Sequence, residues 1–185
     1  LVSLRDCDRF VEYHLLDSLK TAVCVDYTSM HRILDFGSGA GLPGIPLAIV
    51  YPNLDVTLLD SRLKRSVFLE HAVSSLAVKN AAVVRNRIEE LPRTFERSFD
   101  CVITRATTGL SEFLHIAHRL LSPGGILVSI KGEDIFSELE ALNDSITKLP
   151  NGNKSRVHRS FNISTTVPQA FRNVRQGHIV TISKV

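Results

Sequence analysis

A short glycine-rich stretch constrains the fold of this chain more than any other feature. An apolar run that includes Asp35 leads into a turn with glycine at positions 37, 39 and 41, and a second apolar run covers residues 45–50. Glycine adopts positive φ easily and lets the backbone approach a ligand without a Cβ atom in the way. The first N–H groups of a helix also have no partner within the helix. A strand, a glycine turn and a helix in this order therefore predict a nucleotide-binding cradle in an α/β fold.

Two cofactor classes fit this turn. Read as G-x-G-x-x-G from Gly39, the motif suits a dinucleotide, but it then contains Pro43 and leaves Gly37 unused. Read as D-x-G-x-G-x-G from Asp35, it uses the acid and all three glycines of the turn. This second form resembles the first motif of class I methyltransferases, which bind S-adenosylmethionine. A tight connection between strand and helix without a ligand is a third interpretation.

The length and composition indicate a single globular domain without a membrane span. The chain has 185 residues, of which 44% are hydrophobic, and no apolar run approaches the ~20 residues that a membrane helix needs. Its three cysteines, Cys7, Cys24 and Cys101, lack a C-x-x-C spacing and a nearby histidine cluster. We therefore expect neither a disulfide framework nor a metal site, and a cytoplasmic location.

Positive charge is concentrated at the carboxyl end of the chain. Residues 1–144 contain 15 Lys and Arg against 19 Asp and Glu, whereas residues 145–185 contain seven Lys and Arg and no acid. A one-sided basic segment suits a phosphate-backbone partner. We expect phosphate contacts from Arg156, Arg159, Arg172 and Arg175, although a solvated basic edge on an ordinary enzyme would show the same pattern.

Hydrophobic periodicity predicts an alternation of strands and helices. We expect helices over residues 10–25, 41–50, 62–78, 110–121 and 137–149, and strands over residues 32–36, 56–60, 81–85, 98–104, 126–130, 155–163 and 177–184. The Ser-Pro-Gly-Gly sequence at 122–125 should end the fourth helix. This order predicts one α/β domain over residues 1–185, with a helical lead-in over 1–31 and a core over 32–185. In that core a mostly parallel sheet has an antiparallel edge, with helices on both faces.

Several candidate site residues follow the predicted strands. Ligands of open α/β sheets bind outside the carboxyl ends of the strands. Asp60 ends the second strand, 19 residues after Gly41, where it can accept hydrogen bonds from ribose hydroxyls or act as the N-cap of the next helix. Ile88 and Glu89 follow the third strand, where an adenine would lie. His14 lies one turn from Ser18 on the lead-in helix, and we expect a local, structural hydrogen bond there.

Seven segments of the chain resemble the bacterial glucose-inhibited division protein B family. They are residues 1–6, 14–19, 34–48, 58–61, 64–65, 104–106 and 121–125, and the resemblance covers the whole chain. It implies a class I methyltransferase fold and methylation of N7 of a guanine, of the guanine 527 type, in the 530 loop of 16S ribosomal RNA. It also implies S-adenosylmethionine as cofactor and ribosomal RNA or the small ribosomal subunit as partner. Members usually have a further helical segment upstream, so we expect that the chain is clipped there.

The resemblance also assigns site residues by position. It places Gly37, Leu42, Asp60, Ile88, Glu89 and Arg105 at the cofactor and Arg87 and Arg105 at the target. With Asp35, Gly39 and Gly41 of the glycine motif, the cofactor-binding set is Asp35, Gly37, Gly39, Gly41, Leu42, Asp60, Ile88, Glu89 and Arg105, and the catalytic set is Arg87 and Arg105. Two positions depart from the family pattern: Thr107 replaces the usual phenylalanine, and residues 61–65 replace a glycine-bearing turn.

The residues after the fourth strand exclude two kinds of chemistry. The loop contains no Asn/Asp-Pro-Pro-aromatic sequence of the kind used on exocyclic amines, and Cys101 lies within the strand and not in the loop. Guanine N7 carries a lone pair and no proton, so its methylation needs no general base, and catalysis is mainly positioning. A small-molecule methyltransferase and a non-catalytic, cofactor-binding ribosome-assembly factor remain alternatives. We expect a monomer, without a metal.

Overall fold

The computed structural model describes residues 10–105, 108–132, 135–148, 161–166 and 178–184. Its helices are α1 Leu16–Leu19, α2 Thr21–Cys24, α3 Gly44–Val50, α4 Leu63–Ser75, α5 Leu110–Ala117 and α6 Phe136–Lys148. Its strands are β1 Arg32–Phe36, β2 Asp55–Leu59, β3 Ala81–Val84, β4 Phe99–Arg105, β5 Leu121–Lys131, β6 Phe161–Thr166 and β7 His178–Lys184. A π-helical turn covers Val11–Leu15, and short 3₁₀ turns cover Ile88–Glu90, Arg93–Phe95 and His118–Leu120.

The seven strands form one sheet in the order β3-β2-β1-β4-β5-β7-β6. Strands β1 to β5 are parallel, whereas β7 is antiparallel to both β5 and β6. The prediction of a mostly parallel sheet with an antiparallel edge is confirmed. Because parallel neighbours run in one direction, the carboxyl ends of β1, β2, β3 and β4 lie at the same edge of the sheet.

Alternate residues of the central strands pack into two separate cores. Leu34 and Val102 are paired across β1 and β4 and belong to one core, which α5 and α6 cover through residues such as Phe113 and Leu142. The other core contains Ile33, which is fully buried, together with side chains of α3 and α4. Strands that are buried on both faces read as nearly continuous apolar runs. Helices therefore cover both faces of the sheet, as predicted.

Several predicted boundaries were wrong. The lead-in helix is divided into the π turn, α1 and α2, and α3 begins at Gly44 because the glycine turn occupies the preceding residues. The Ser-Pro-Gly-Gly sequence lies inside β5 and does not separate a helix from a strand. It forms an irregularity there, since Leu121 pairs with Phe99 and Ile126 pairs with Cys101.

The carboxyl-terminal part is described only partly. The strand predicted over residues 155–163 is observed over Phe161–Thr166, and residues 155–160 lie outside the described residues. The four arginines predicted to contact phosphate lie outside them too, so that prediction and the division into lead-in and core stay predictions. None of the helices in the described ranges is long and apolar enough to cross a membrane.

Candidate active site

The turn after β1 needs all three of its glycines. The φ angles of Gly37, Gly39 and Gly41 are +72°, +55° and +83°, a region that side chains with a Cβ rarely adopt. The backbone N–H groups of Gly37 and Ser38 donate hydrogen bonds to the carbonyl oxygen of Leu59, at 2.8 and 3.1 Å. The turn is therefore attached to the end of β2. The dinucleotide motif left Gly37 unused, but the positive φ of this residue requires a glycine there.

Asp35 lies beneath the turn and is fully buried. Its Oδ2 atom accepts a hydrogen bond from the backbone N–H of Gly44 at 2.9 Å. Within the described residues its Oδ1 atom has no hydrogen-bond partner. Burial raises the pKa of Asp35 to about 7, although the Gly44 N–H and the charge of Arg105 act in the opposite direction. The carboxyl group thus connects β1 to the start of α3 and sits at the boundary between its neutral and charged forms near neutral pH.

Asp60 joins the glycine turn to the segment that precedes α4. Its Oδ2 atom accepts hydrogen bonds from Gly39 N at 3.1 Å and from Arg65 Nη1 at 3.3 Å, and its Oδ1 atom accepts one from Arg62 N at 2.9 Å. The N-cap residue of α4 is Arg62, and no side chain caps the helix. The N-cap interpretation of Asp60 was therefore wrong, because Asp60 lies two residues before the N-cap and its carboxylate joins the backbone of Arg62 to that of Gly39.

A cavity of about 260 Å³ opens beside Asp60 at the carboxyl ends of β1, β2 and β3. Eleven residues line it: Phe36, Gly37, Leu59, Asp60, Ser61, Arg62, Arg65, Asn86, Arg87, Ile88 and Glu89. Five of these are site residues predicted from the sequence, namely Gly37, Asp60, Arg87, Ile88 and Glu89. The fold thus brings together residues from three separate loops. Sequence reasoning did not assign Phe36, Asn86 and Arg65 to the site. Phe36 ends a predicted strand, Asn86 follows one, and Arg65 lies in one of the segments that resemble the family.

The other predicted cofactor residues do not line this cavity. A Cβ atom at Gly41 would lie 2.4 Å from Ile45 Cδ1, so this glycine is required by packing. Leu42 is buried, with 5% of its surface exposed. Gly39 is different, because a Cβ there would have only Gly37 O at 3.7 Å and Arg65 Nη1 at 4.0 Å as neighbours. The backbone at Gly39 therefore leaves open space on that side.

Ile88 contributes less to the cavity than its position suggested. It is 1% exposed and belongs to the core that also contains Phe99. Its carbonyl oxygen accepts a hydrogen bond from Arg119 Nη2 at 2.8 Å. Most of this side chain therefore supports the cavity wall from behind, whereas Glu89 is exposed at the rim.

Arg105 is the last residue of β4 and contacts the lead-in segment. Its Nη1 atom donates a hydrogen bond to His14 Nδ1 at 3.1 Å. The expected local hydrogen bond is also present, but its acceptor is the backbone of His14, which receives the Ser18 hydroxyl at 2.6 Å. The side chain of His14 thus reaches across 91 residues of sequence to the strand end where a substrate would meet the cofactor, a contact that sequence reasoning missed.

The loop after β4 is held by a buried lysine. Lys131 Nζ donates to the carbonyl oxygen of Thr108 at 2.5 Å and forms an ion pair with Glu138 at 2.8 Å. Glu138 Oε2 in turn accepts a hydrogen bond from Leu110 N at 3.0 Å. These contacts join the end of β5 and helix α6 to the beginning of α5. They hold Thr108 and Leu110 in place between the end of β4 and helix α5.

Cys101 is not available as a nucleophile after β4, and the described residues contain no candidate metal site. Cys101 is fully buried within β4, and burial raises the pKa of its thiol far above the ordinary value. In the described ranges, no group of three or more His, Cys, Asp or Glu side chains could hold a metal ion. The expected absence of a metal stays a prediction.

The sequence matches one protein family over most of its length. The family model GidB, rRNA small subunit methyltransferase G, matches residues 1–163. The ribosomal RNA small subunit methyltransferase G of Laribacter hongkongensis is 39% identical over 146 residues, which are 79% of this chain and 68% of that protein. The protein of the same name from Chromohalobacter salexigens is 40% identical over 147 residues, which are 80% and 68% of the two chains.

Two solved methyltransferase structures have a similar fold. A SAM-dependent methyltransferase from Aquifex aeolicus has a TM-score of 0.70 at 18% identity, with 98% of this chain and 95% of that chain covered. An rRNA methylase from Streptococcus thermophilus has a TM-score of 0.59 at 18% identity, with 92% and 95% covered. At these identities the similarity concerns the fold alone, and it confirms the predicted class I methyltransferase fold.

Proposed function

Because the chain belongs to the GidB family of small-subunit rRNA methyltransferases, we propose that it methylates N7 of a guanine in the 530 loop of 16S rRNA. Its cofactor is S-adenosylmethionine, as the family and the fold imply. The observation that carries the proposal is the 260 Å³ cavity beside Asp60, into which glycine-turn, acidic and arginine residues converge.

The residues around this cavity fit the adenosine part of the cofactor. An ionised carboxylate has about four lone-pair sites, and Asp60 uses three of them within the protein. One site is left for a ribose hydroxyl, and the bond from Arg65 is the longest and the easiest to exchange. Glu89 at the rim can accept a hydrogen bond from the adenine amino group, while Ile88 supports the wall. We assign Gly37 and Gly39 to close approach of the backbone to the cofactor.

Three further residues of the predicted cofactor-binding set would support the cofactor site indirectly, by holding the glycine turn in shape. Asp35 holds the start of α3 through Gly44, Gly41 packs against Ile45, and Leu42 is buried beside them. These contacts keep the glycine turn in a single conformation. We propose that they preorganise the cofactor site without requiring a large exposed surface of their own.

Methylation of guanine N7 requires the protein mainly to position the two reactants. S-adenosylmethionine supplies an activated methyl group on a sulfonium centre. Guanine N7 has a free lone pair, so no side chain has to remove a proton, and holding two reactants in attack geometry can contribute up to ~7–11 kcal/mol. We propose that Arg105, at the end of β4, and Arg87, at the rim of the cavity, orient the guanine. A guanidinium can hydrogen-bond to both O6 and N7 of guanine. Such contacts with N7 must be released or redirected before the lone pair reacts, so Arg105 would act mainly through O6 or by stacking.

Methyl transfer from isotopically labelled cofactor tests this proposal. The protein is incubated with naked 16S rRNA, with assembled small subunits and with a pool of small-molecule methyl acceptors, and nucleosides are then identified by mass spectrometry. We expect label in 7-methylguanosine from the 530 loop. Label on ribose, on an exocyclic amine or only in small molecules would contradict the assignment. Cofactor binding without any transfer would favour the assembly-factor alternative.

A further inference from the structure

A second cavity, of about 570 Å³, adjoins the cofactor cavity at the edge of the sheet. Six residues line it: Ser61, Arg62, Arg85, Asn86, Arg87 and Glu90. It shares four of these residues with the first cavity, while Arg85 and Glu90 belong to it alone. All six have polar or charged side chains, which excludes a mainly apolar ligand.

Three arginines without an acidic partner among the described residues line this one cavity. Arg65 pairs with Asp60, and Arg119 pairs with Glu96. In the part of the chain that the structure describes, no carboxylate lies within 4.0 Å of the guanidinium groups of Arg62, Arg85 or Arg87. Three like charges therefore face one cavity together with a single acid, Glu90. A ligand with several negative charges would relieve their repulsion.

The chemistry of the lining selects phosphate among anionic groups. Guanidinium groups bind phosphate oxygens in a bidentate manner, and the side chains of Ser61 and Asn86 add neutral donors at the same wall. The volume exceeds what one phosphate group fills, so it suits a run of phosphodiesters. The position of the cavity in the sheet supports the same conclusion. The carboxyl ends of β3 and β4 are three strand spacings apart, which is about 14 Å. A strand of RNA with its target guanine at Arg105 can reach that far with flanking nucleotides.

We propose that Arg62 and Arg85 form a phosphate-binding site for the RNA strand that flanks the target guanine, next to Arg87, which faces the guanine itself. The proposal rests on the proposed function for the identity of the ligand. The phosphates would occupy the cavity beyond the adenosine site, so RNA and cofactor would bind side by side along the carboxyl edge of β2 and β3. Arg85 is the most informative residue, because it lines this cavity and not that of the cofactor.

Arg85→Gln and Lys79→Gln form a matched pair for the test. Both remove one exposed positive charge, but Lys79 precedes β3 and Arg85 follows it, so the two lie at opposite ends of one strand. Affinity for an RNA fragment containing the 530 loop is measured without cofactor over a range of salt concentrations. For Arg85→Gln we expect the slope of log affinity against log salt to fall by about 0.7 to 1, with the slope for Lys79→Gln unchanged. The double variant Arg62→Gln/Arg85→Gln should lower the slope by about twice as much as Arg85→Gln alone.

The wild-type protein separates failure of this inference from failure of the proposed function. Equal slopes for wild type, Arg85→Gln and Lys79→Gln would overturn the phosphate site even if wild type methylates the 530 loop. If wild type does not methylate RNA but Arg85→Gln still lowers the slope, the proposed function fails and the phosphate site stands. Affinity for S-adenosylmethionine, measured by calorimetry, should be the same in Arg85→Gln as in wild type. A loss of cofactor affinity would overturn the separation of the two cavities.

Discussion

The carboxyl group of Asp35 and the backbone of Gly44 lie so close that no side chain fits between them. Asp35 Oδ2 accepts a hydrogen bond from Gly44 N at 2.9 Å, and an added Cβ at Gly44 would lie 2.7 Å from the same oxygen and 2.4 Å from Leu58 Cδ2. We therefore expect Gly44→Ala to lower the free energy of unfolding by about 1–3 kcal/mol through overpacking. Denaturant unfolding measures the effect. Gly132→Ala is the control, because no atom lies within 4 Å of its added Cβ, and equal stability of the two variants would contradict the expectation.

The ionisation of Asp35 should make stability depend on pH. Its pKa is raised to about 7 in the folded protein by burial, against about 3.9 in an unfolded chain. The folded state then binds more protons between these values, so the contribution of the neutral carboxyl is fully present below about pH 4 and is lost as the pH rises through about 7. Asp35→Asn lacks this titration. Relative to wild type, the variant should gain stability between pH 4 and pH 7, on the order of 4 kcal/mol at most.

Asp100→Asn provides the control for this pH dependence. Partial burial raises the pKa of Asp100, but the N–H groups of His31 and Arg32 and the hydroxyl of Ser122 together outweigh it, and the pKa is lowered overall. A lowered pKa contributes stability above the unfolded value, which is lost only as the pH falls below about 4. The difference between Asp100→Asn and wild type should therefore stay constant from pH 5 to pH 8. A constant difference for Asp35→Asn over the same interval would show that Asp35 is already ionised in the folded protein.

Gly37 should be required for cofactor binding in addition to its backbone role. In Gly37→Val, two methyl groups would enter the cavity beside Asp60, and we expect no S-adenosylmethionine binding by calorimetry. A side chain at positive φ also costs about 1–2 kcal/mol. Gly124→Val is matched in backbone strain, since its φ is +80° and no atom lies within 4 Å of its added Cβ. Loss of binding in both variants, or in neither, would count against a cofactor role for Gly37.

Arg105 should affect methyl transfer much more than stability. Misplacement of a substrate by 1 Å can cost ~100-fold in rate, so Arg105→Ala should lower single-turnover methyl transfer by about that factor. Arg105→Lys keeps the charge and loses the planar fork, and it should restore little activity if the fork contacts guanine. Thermal unfolding of each variant identifies any loss that arises from the contact with His14. Wild-type rates in Arg105→Ala would remove this residue from the site.

Lys131 and Glu138 should stabilise the protein jointly. Lys131→Met leaves the carbonyl oxygen of Thr108 and the carboxylate of Glu138 without their shared donor, and we expect a loss of about 1–3 kcal/mol in unfolding free energy. In a double-mutant cycle with Glu138→Gln, the coupling energy should lie between about 0.5 and 3 kcal/mol, because the two side chains are in direct contact. Additive effects of the two substitutions would indicate that the ion pair contributes no net stability.

Local steric and periodic rules made much of this fold predictable. The positive φ angles of the glycine turn follow from the absence of a Cβ, and the alternation of apolar runs was enough to place β1, β2, β3, β4 and β7 to within one or two residues. The same rules fail where a tertiary contact decides the local structure. The Ser-Pro-Gly-Gly sequence has the residues of a loop, yet it lies in β5, because Leu121 pairs with Phe99 and Gly125 approaches the Phe99 carbonyl too closely for a Cβ.

The sequence by itself determined which residues could form a cofactor site, since an acid, three glycines and the ends of successive parallel strands define it through chain order alone. The tertiary structure decided which contact each of those residues makes. Asp35 holds the start of α3 by its hydrogen bond with Gly44, and Gly41 packs against Ile45. Asp60 binds the turn through Gly39, and His14 contacts Arg105 from far away in the sequence. These pairings depend on strand order and register, which bring distant residues within hydrogen-bond distance, and spacing along the chain carries no information about them.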